Sequence, residues 1–98
     1  MAVPASFHPE AEVDFVEAVR WYERERAGLG HVFSAAVSET VRFATDFPDA
    51  GAPLGPSLRR AFVRAFPYYV LYAHSPEGLW VVAVAHFRRR PGYWRDRT

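Results

Sequence analysis

The side chains best suited to chemistry crowd the end of a 98-residue chain. The stretch AHFRRRPGYWRDR (85–97) holds His86, Arg88, Arg89, Arg90, Tyr93 and Trp94, and an earlier stretch, LRRAFVRAF (58–66), holds Arg59, Arg60 and Arg64. Arginine presents a planar fork of donors that grips phosphate or carboxylate through paired bonds. Tyrosine and tryptophan can stack on bases. These types suit contact with nucleic acid or with an acidic protein surface. They also meet the needs of metal-free RNA cleavage: a base for the 2′-hydroxyl, an acid for the leaving 5′-oxygen, and cations for the phosphate. His86 and Tyr93 would move protons, and Arg88, Arg89 or Arg90 would carry the positive charge. Spacing alone does not bring these groups together. The plain alternative is a solvated basic tail whose Tyr93 and Trp94 pack back on the core.

Other chemistries find little support. His8, His31, His74 and His86 include no pair at helical i,i+4 spacing, and the chain has no cysteine, so no metal site is expected. The segment GAPLGP has glycines but lacks the lysine and following helix of a phosphate loop, and no serine sits in a nucleophile elbow. No cofactor is expected. The absence of cysteine also rules out disulfides and fits a reducing compartment.

The formal net charge is only +1, yet its distribution is lopsided, and every basic residue is arginine. Glu10, Glu12, Asp14, Glu17, Glu23 and Glu25 gather near the start, whereas only Glu77 and Asp96 oppose the arginines beyond residue 50. An anionic partner for the second half follows from that asymmetry. The modest total argues against strong stand-alone DNA binding, which draws on phosphate neutralisation. No secretory leader is evident, and no run approaches the roughly 18 apolar residues of a membrane span. A cytoplasmic protein without membrane contact is the expectation.

Half of the residues are hydrophobic, enough for one domain over residues 1–98 to build its own core. Residues 2–8 are expected to form a short strand around Val3 and Phe7, kept at an edge by Pro4. Pro9 suits the first turn of a helix over 10–26, where Ala11, Phe15, Ala18, Val19 and Tyr22 recur at three- and four-residue spacing. Gly28 stops it, and a second helix over about 31–46 carries Phe33, Ala36, Val37, Thr40, Phe43, Ala44 and Phe47. Trp21 and Tyr22 belong to this hairpin's core or its edge. The segment 47–57, with its prolines and glycines, is expected to be a loop. Strands follow at 58–66, 68–74 and 79–87, the first with Phe62 and Phe66 on the face of Arg60 and Arg64. The last, LWVVAVAHF, is apolar almost throughout, as in a central strand covered on both faces. The fold class is therefore α+β in the order β-α-α-β-β-β, with a helical hairpin on one face of a mainly antiparallel sheet.

Three stretches, AVRWYERERAGLGHVF, DFPDAGAPLGPSLRRAFVRAFPYYVLY and VVAVAHFRRRPGYWRDR, resemble the RelE/ParE superfamily of bacterial toxins. Trp21-Tyr22-Glu23, the Phe66-Pro67-Tyr68 step and the His86-x-Arg88-Arg89 ending carry the likeness, which runs from about Glu10 to Arg97. It implies a type II toxin neutralised by a cognate antitoxin, often in 2:2 or larger assemblies. One branch inhibits DNA gyrase, and the other cuts mRNA on the ribosome. The mRNA-cleaving branch resembles this chain at Tyr93 but carries basic residues where this chain has Tyr69 and Phe87. The resemblance is closer to the ParE-like branch, which implies gyrase inhibition. The alternatives are ribosome-dependent mRNA cleavage by His86, Arg89 and Tyr93, and a weakly toxic module acting only with its antitoxin. In each case Arg59, Arg60, Arg64, Arg88, Arg89, Arg90, Tyr93 and Trp94 are the expected binding surface.

Overall fold

A computed structural model describes residues 5–97. Helix α1 spans Pro9–Glu25 and α2 spans Leu29–Asp46. They form the expected hairpin on one face of a sheet. Strands β1 (Ala5–Phe7), β2 (Ala52–Leu54), β3 (Leu58–Phe62), β4 (Tyr68–Ser75) and β5 (Gly78–His86) make up that sheet, and a short 3₁₀ turn covers Arg95–Arg97. The spatial order is β1-β5-β4-β3-β2, antiparallel except for the β1–β5 pair.

The expected loop 47–57 contains an unforeseen strand. Ala52, Pro53 and Leu54 pair with Arg60, Arg59 and Leu58 as β2. Pro53 is tolerated there because β2 is an edge strand. Of the first expected strand, Val3 and Pro4 lie outside the described residues. Strand β3 stops at Phe62, short of the expected residue 66. Ala65 adopts a left-handed φ of 70° and reverses the chain. That reversal turns Phe66 to the helix side, where it meets Tyr22 and Phe33 at ring distances of 5.0 and 5.1 Å. Phe66 thus does not share a face with Arg60.

Local chemistry sets the hairpin. His8 caps α1 by accepting the Glu10 N–H at Nδ1 (3.0 Å), just ahead of Pro9. Helix α2 has no capping side chain of its own. Glu23 of α1 fills that role, its two oxygens accepting from the Gly28 and Gly30 N–H groups, both at 3.0 Å. Carboxylates at helix N-termini are favoured by the exposed donors and the dipole. Gly30 is needed for the close approach, since a Cβ there would stand 2.7 Å from the Val19 carbonyl.

The helix-side core joins Phe33, Val37, Val41 and Ala44 of α2 to Val70, Tyr72, Leu79, Val81 and Val84 of the sheet. Strand β5 pairs Val81 with Tyr72 but Ala83 with Leu71, which leaves Val82 as a bulge. The bulge shifts the two-residue alternation, so Val81 and Val84 both reach the helices while Val82 and Ala83 join a second cluster. Leu54, Leu58, Tyr93 and Trp94 pack against that second cluster. The apolar wording of β5 thus has the expected cause: both faces of most of the strand are covered, with only Trp80 exposed.

Candidate functional site

The register separates the arginines of β3. Arg60 lies opposite Leu71, and Phe62 opposite Tyr69, on the face away from the helices. Arg59 alternates to the other side. It donates to the Asp49 and Gly51 carbonyls (3.1 and 2.8 Å) and stands 3.9 Å from the Asp49 carboxylate. Its guanidinium therefore braces the loop before β2. Arg64 is exposed at the turn and lines an adjoining hollow with Glu39, Phe43 and Ala52, which Arg60 and Phe62 also border.

The face away from the helices carries a groove of about 700 Å³. Its floor is Leu58, Arg60, Phe62 and Tyr69, and its far wall is Phe87, Arg89, Trp94 and Arg95. Among the described residues no carboxylate side chain lines it. Arg60 lies over the Phe62 and Tyr69 rings, at 5.5 and 5.7 Å from their centroids. Arg60 Nε and Trp94 Nε1 are buried N–H donors that find no hydrogen-bond partner among the described residues. Such donors are costly to leave unpaired. The arginine and aromatic lining suits an occupant that brings negative charge. Arg88 and Arg90 are exposed outside it.

His86 and Arg89 line one small hollow and Arg89 also covers Tyr93, while His86 Nδ1 and the Tyr93 hydroxyl are engaged within the protein. His86 faces the helix side, edge-on to Tyr68 at 5.0 Å, and its Nδ1 accepts the Arg88 N–H at 3.0 Å. It lines a hollow of about 200 Å³ with Asp14, Glu17, Trp21 and Arg89. The Tyr93 hydroxyl donates to Asp14 Oδ2 at 3.1 Å. Burial, followed by the neighbouring Asp14 charge, pushes the Tyr93 phenol well above its ordinary range. A phenol so placed is a poor proton donor to a substrate. Arg89 sits over the Tyr93 ring at 4.0 Å, so its charge is held beside the groove. Among the described residues no group of three or more acidic, histidine or cysteine side chains is placed to hold a metal ion.

Two residues outside the expected set organise this region. Arg97 pairs with Asp14 through both nitrogens, Nη1 to Oδ2 at 2.6 Å and Nη2 to Oδ1 at 3.2 Å. Their side chains are only 9 % and 6 % exposed. Asp14 carried a sequence signal: it stands three residues after Ala11 and four before Ala18, on the apolar stripe of α1. A carboxylate there must find a buried partner. Arg97 carried no comparable signal, because the tail lacks periodicity.

A family model for the "ParE toxin of type II toxin-antitoxin system, parDE" matches residues 5–91. The chain belongs to the ParE toxin family. Toxin ParE2 from two strains of Mycobacterium tuberculosis, CDC 1551 / Oshkosh and ATCC 25618 / H37Rv, is 28% identical over 85 residues. The alignment covers 86% of this chain and 81% of each relative. This ParE-family chain is thus the toxin component of a type II toxin–antitoxin system, and a cognate antitoxin is its partner. The helical hairpin on a five-stranded sheet agrees with that membership. No helix among the described residues is long and apolar enough to cross a membrane.

Proposed function

We propose that this ParE-family toxin arrests growth in the cytoplasm by inhibiting DNA gyrase, without catalysing a reaction itself. The supporting observation is the make-up of the groove. Tyr69 and Phe87, at positions where the resemblance would place cations for RNA cleavage, line it beside Phe62. The Tyr93 hydroxyl is meanwhile occupied by Asp14. Arg60 and Arg89 supply charge for gripping a target, and aromatic walls supply apolar area. The antitoxin would mask the same face with an acidic segment, in an assembly of 2:2 or larger. Arg88 and Arg90 extend the basic surface at its rim.

Pulse-labelling of DNA and protein synthesis just after induction without antitoxin tests the target. Early failure of DNA synthesis with an SOS response is the expected result. Prior failure of protein synthesis would move the assignment to ribosome-dependent mRNA cleavage, with His86 and Arg89 first to be mutated. The double substitution Arg88→Glu and Arg89→Glu is expected to abolish arrest while leaving the circular dichroism spectrum unchanged. Undiminished arrest by that variant would remove the basic surface from the reading.

A further inference from the structure

We infer that Asp14 and Arg97 are positioning residues that hold the 88–97 segment against β5 and thereby build the far wall of the groove. The inference rests on the proposed function for what the groove does, but its first test needs no target.

The register of β1 and β5 motivates it. Pairing runs Ala5 to Leu79, Ser6 to Trp80 and Phe7 to Val81, and the His8 N–H closes it on the Val81 carbonyl at 2.8 Å. Beyond that point β1 has ended, and its edge of β5 is served by side chains. Asp14 Oδ2 accepts the Val84 N–H at 3.2 Å, and Arg97 Nη1 donates to the Val82 carbonyl at 3.1 Å. The two side chains do for β5 what the next residues of a neighbouring strand would do. Unpaired main-chain groups at a buried edge demand such partners.

The same contacts fix the tail. Asp14 Oδ2 also accepts from Tyr93, and both Arg89 and Arg97 lie over the Tyr93 ring, at 4.0 and 4.8 Å. Trp94 follows directly and packs with Leu71, Val82 and Ala83, while facing the groove. One carboxylate on α1 thus sets the places of Tyr93, Arg89 and Trp94. The arrangement has a polarity. An acceptor must stand at position 14 for Val84 and a donor at position 97 for Val82, so exchanging the two charges does not reproduce it.

Hydrogen exchange of the whole protein tests the inference. Asp14→Asn is expected to keep its circular dichroism spectrum while amides in 88–97 exchange at least tenfold faster and arrest weakens at equal protein level. Arg97→Lys keeps one charge but loses the fork, and it should show the same change in smaller measure even if the Asn variant folds poorly. The exchanged pair, Asp14→Arg with Arg97→Asp, should restore neither property. Unchanged exchange over 88–97 in a folded variant would overturn the positioning role. Faster exchange with full arrest would uphold the holding of the segment and overturn its part in what the groove does. A wild-type protein that arrests nothing would instead count against the functional reading, while the exchange rates still decide whether the segment is held by this pair.

Discussion

Asp14 Oδ2 takes three donors: the Val84 N–H, the Tyr93 hydroxyl and an Arg97 nitrogen. Truncation to alanine would strand all three, one of them a buried charge. Breaking a buried pair in this way costs about 3–5 kcal/mol, and chemical denaturation of Asp14→Ala is expected to fall by an amount of that order. Tyr93 predicts a pH effect. Its folded-state phenol titrates above the ordinary value of 10.0, chiefly because it is buried. The stability this shift supplies is complete below about pH 10 and lost as pH climbs toward the folded value. Tyr22, Tyr68 and Tyr72 shift the same way, each chiefly through burial. Melting temperature should decline beyond about pH 10, and less steeply in Tyr93→Phe. Ala65 gives a third residue-scale expectation. Its left-handed φ is unfavourable for a side chain by roughly 1–2 kcal/mol, so Ala65→Gly should raise or maintain the denaturation midpoint, whereas Ala65→Val lowers it. Legibility at this scale was uneven. Period-two alternation would set Arg59 on the opposite face from Arg60, although the expected surface held both, and the Ala11–Ala18 spacing would place Asp14 inside, although it reads first as one acid of an acidic start. Nothing local announces that Glu23 caps the next helix, because a charged residue late in a helix reads first as solvated surface.

Among the elements, the two helices follow directly from three- and four-residue apolar spacing bounded by Pro9 and Gly28. The helix–helix junction depends on Glu23, and Glu23→Ala is expected to lower stability by about 1–2 kcal/mol through the loss of its two bonds to the α2 N-terminus. Urea denaturation monitored by circular dichroism reads this, with α2 the first region to exchange. The sheet was harder to foresee. Strand β2 hides in a segment with the composition of a loop, since three residues at an edge need no β-rich wording when β3 supplies the partner groups. The chain reversal at Ala65 overrides an apparently continuous alternation from Leu58 to Phe66, because Phe66 gains more from the Tyr22–Phe33 cluster than from a half-covered face. The bulge at Val82 is equally silent, since both neighbours are small and apolar. Arg59 belongs to this scale as well: Arg59→Ala should loosen 49–51, seen as faster exchange there, without loss of growth arrest.

Across the whole molecule, the helix side is an aromatic core and the opposite face carries the arginine-lined groove. The α+β class and the hairpin-on-sheet layering were open to a reading of periodicity. The groove was not, since its floor on β3 and β4 and its far wall after β5 meet only through sheet register. Even its charge is a product of folding: Arg59 leaves for the helix side, while Arg60 and Arg89 remain. The pair that completes the site joins positions 83 residues apart, which bears on how the protein comes into being. During synthesis the helices and all five strands can be made before Arg97 is added. Until then the Val82 carbonyl and Asp14 lack their partner, and Trp94 has no fixed seat. A chain ending short of Arg97 would thus hold every strand and both helices while lacking the pair that fixes this wall of the groove. A second protein that recognises the scaffold alone would not need that wall in place.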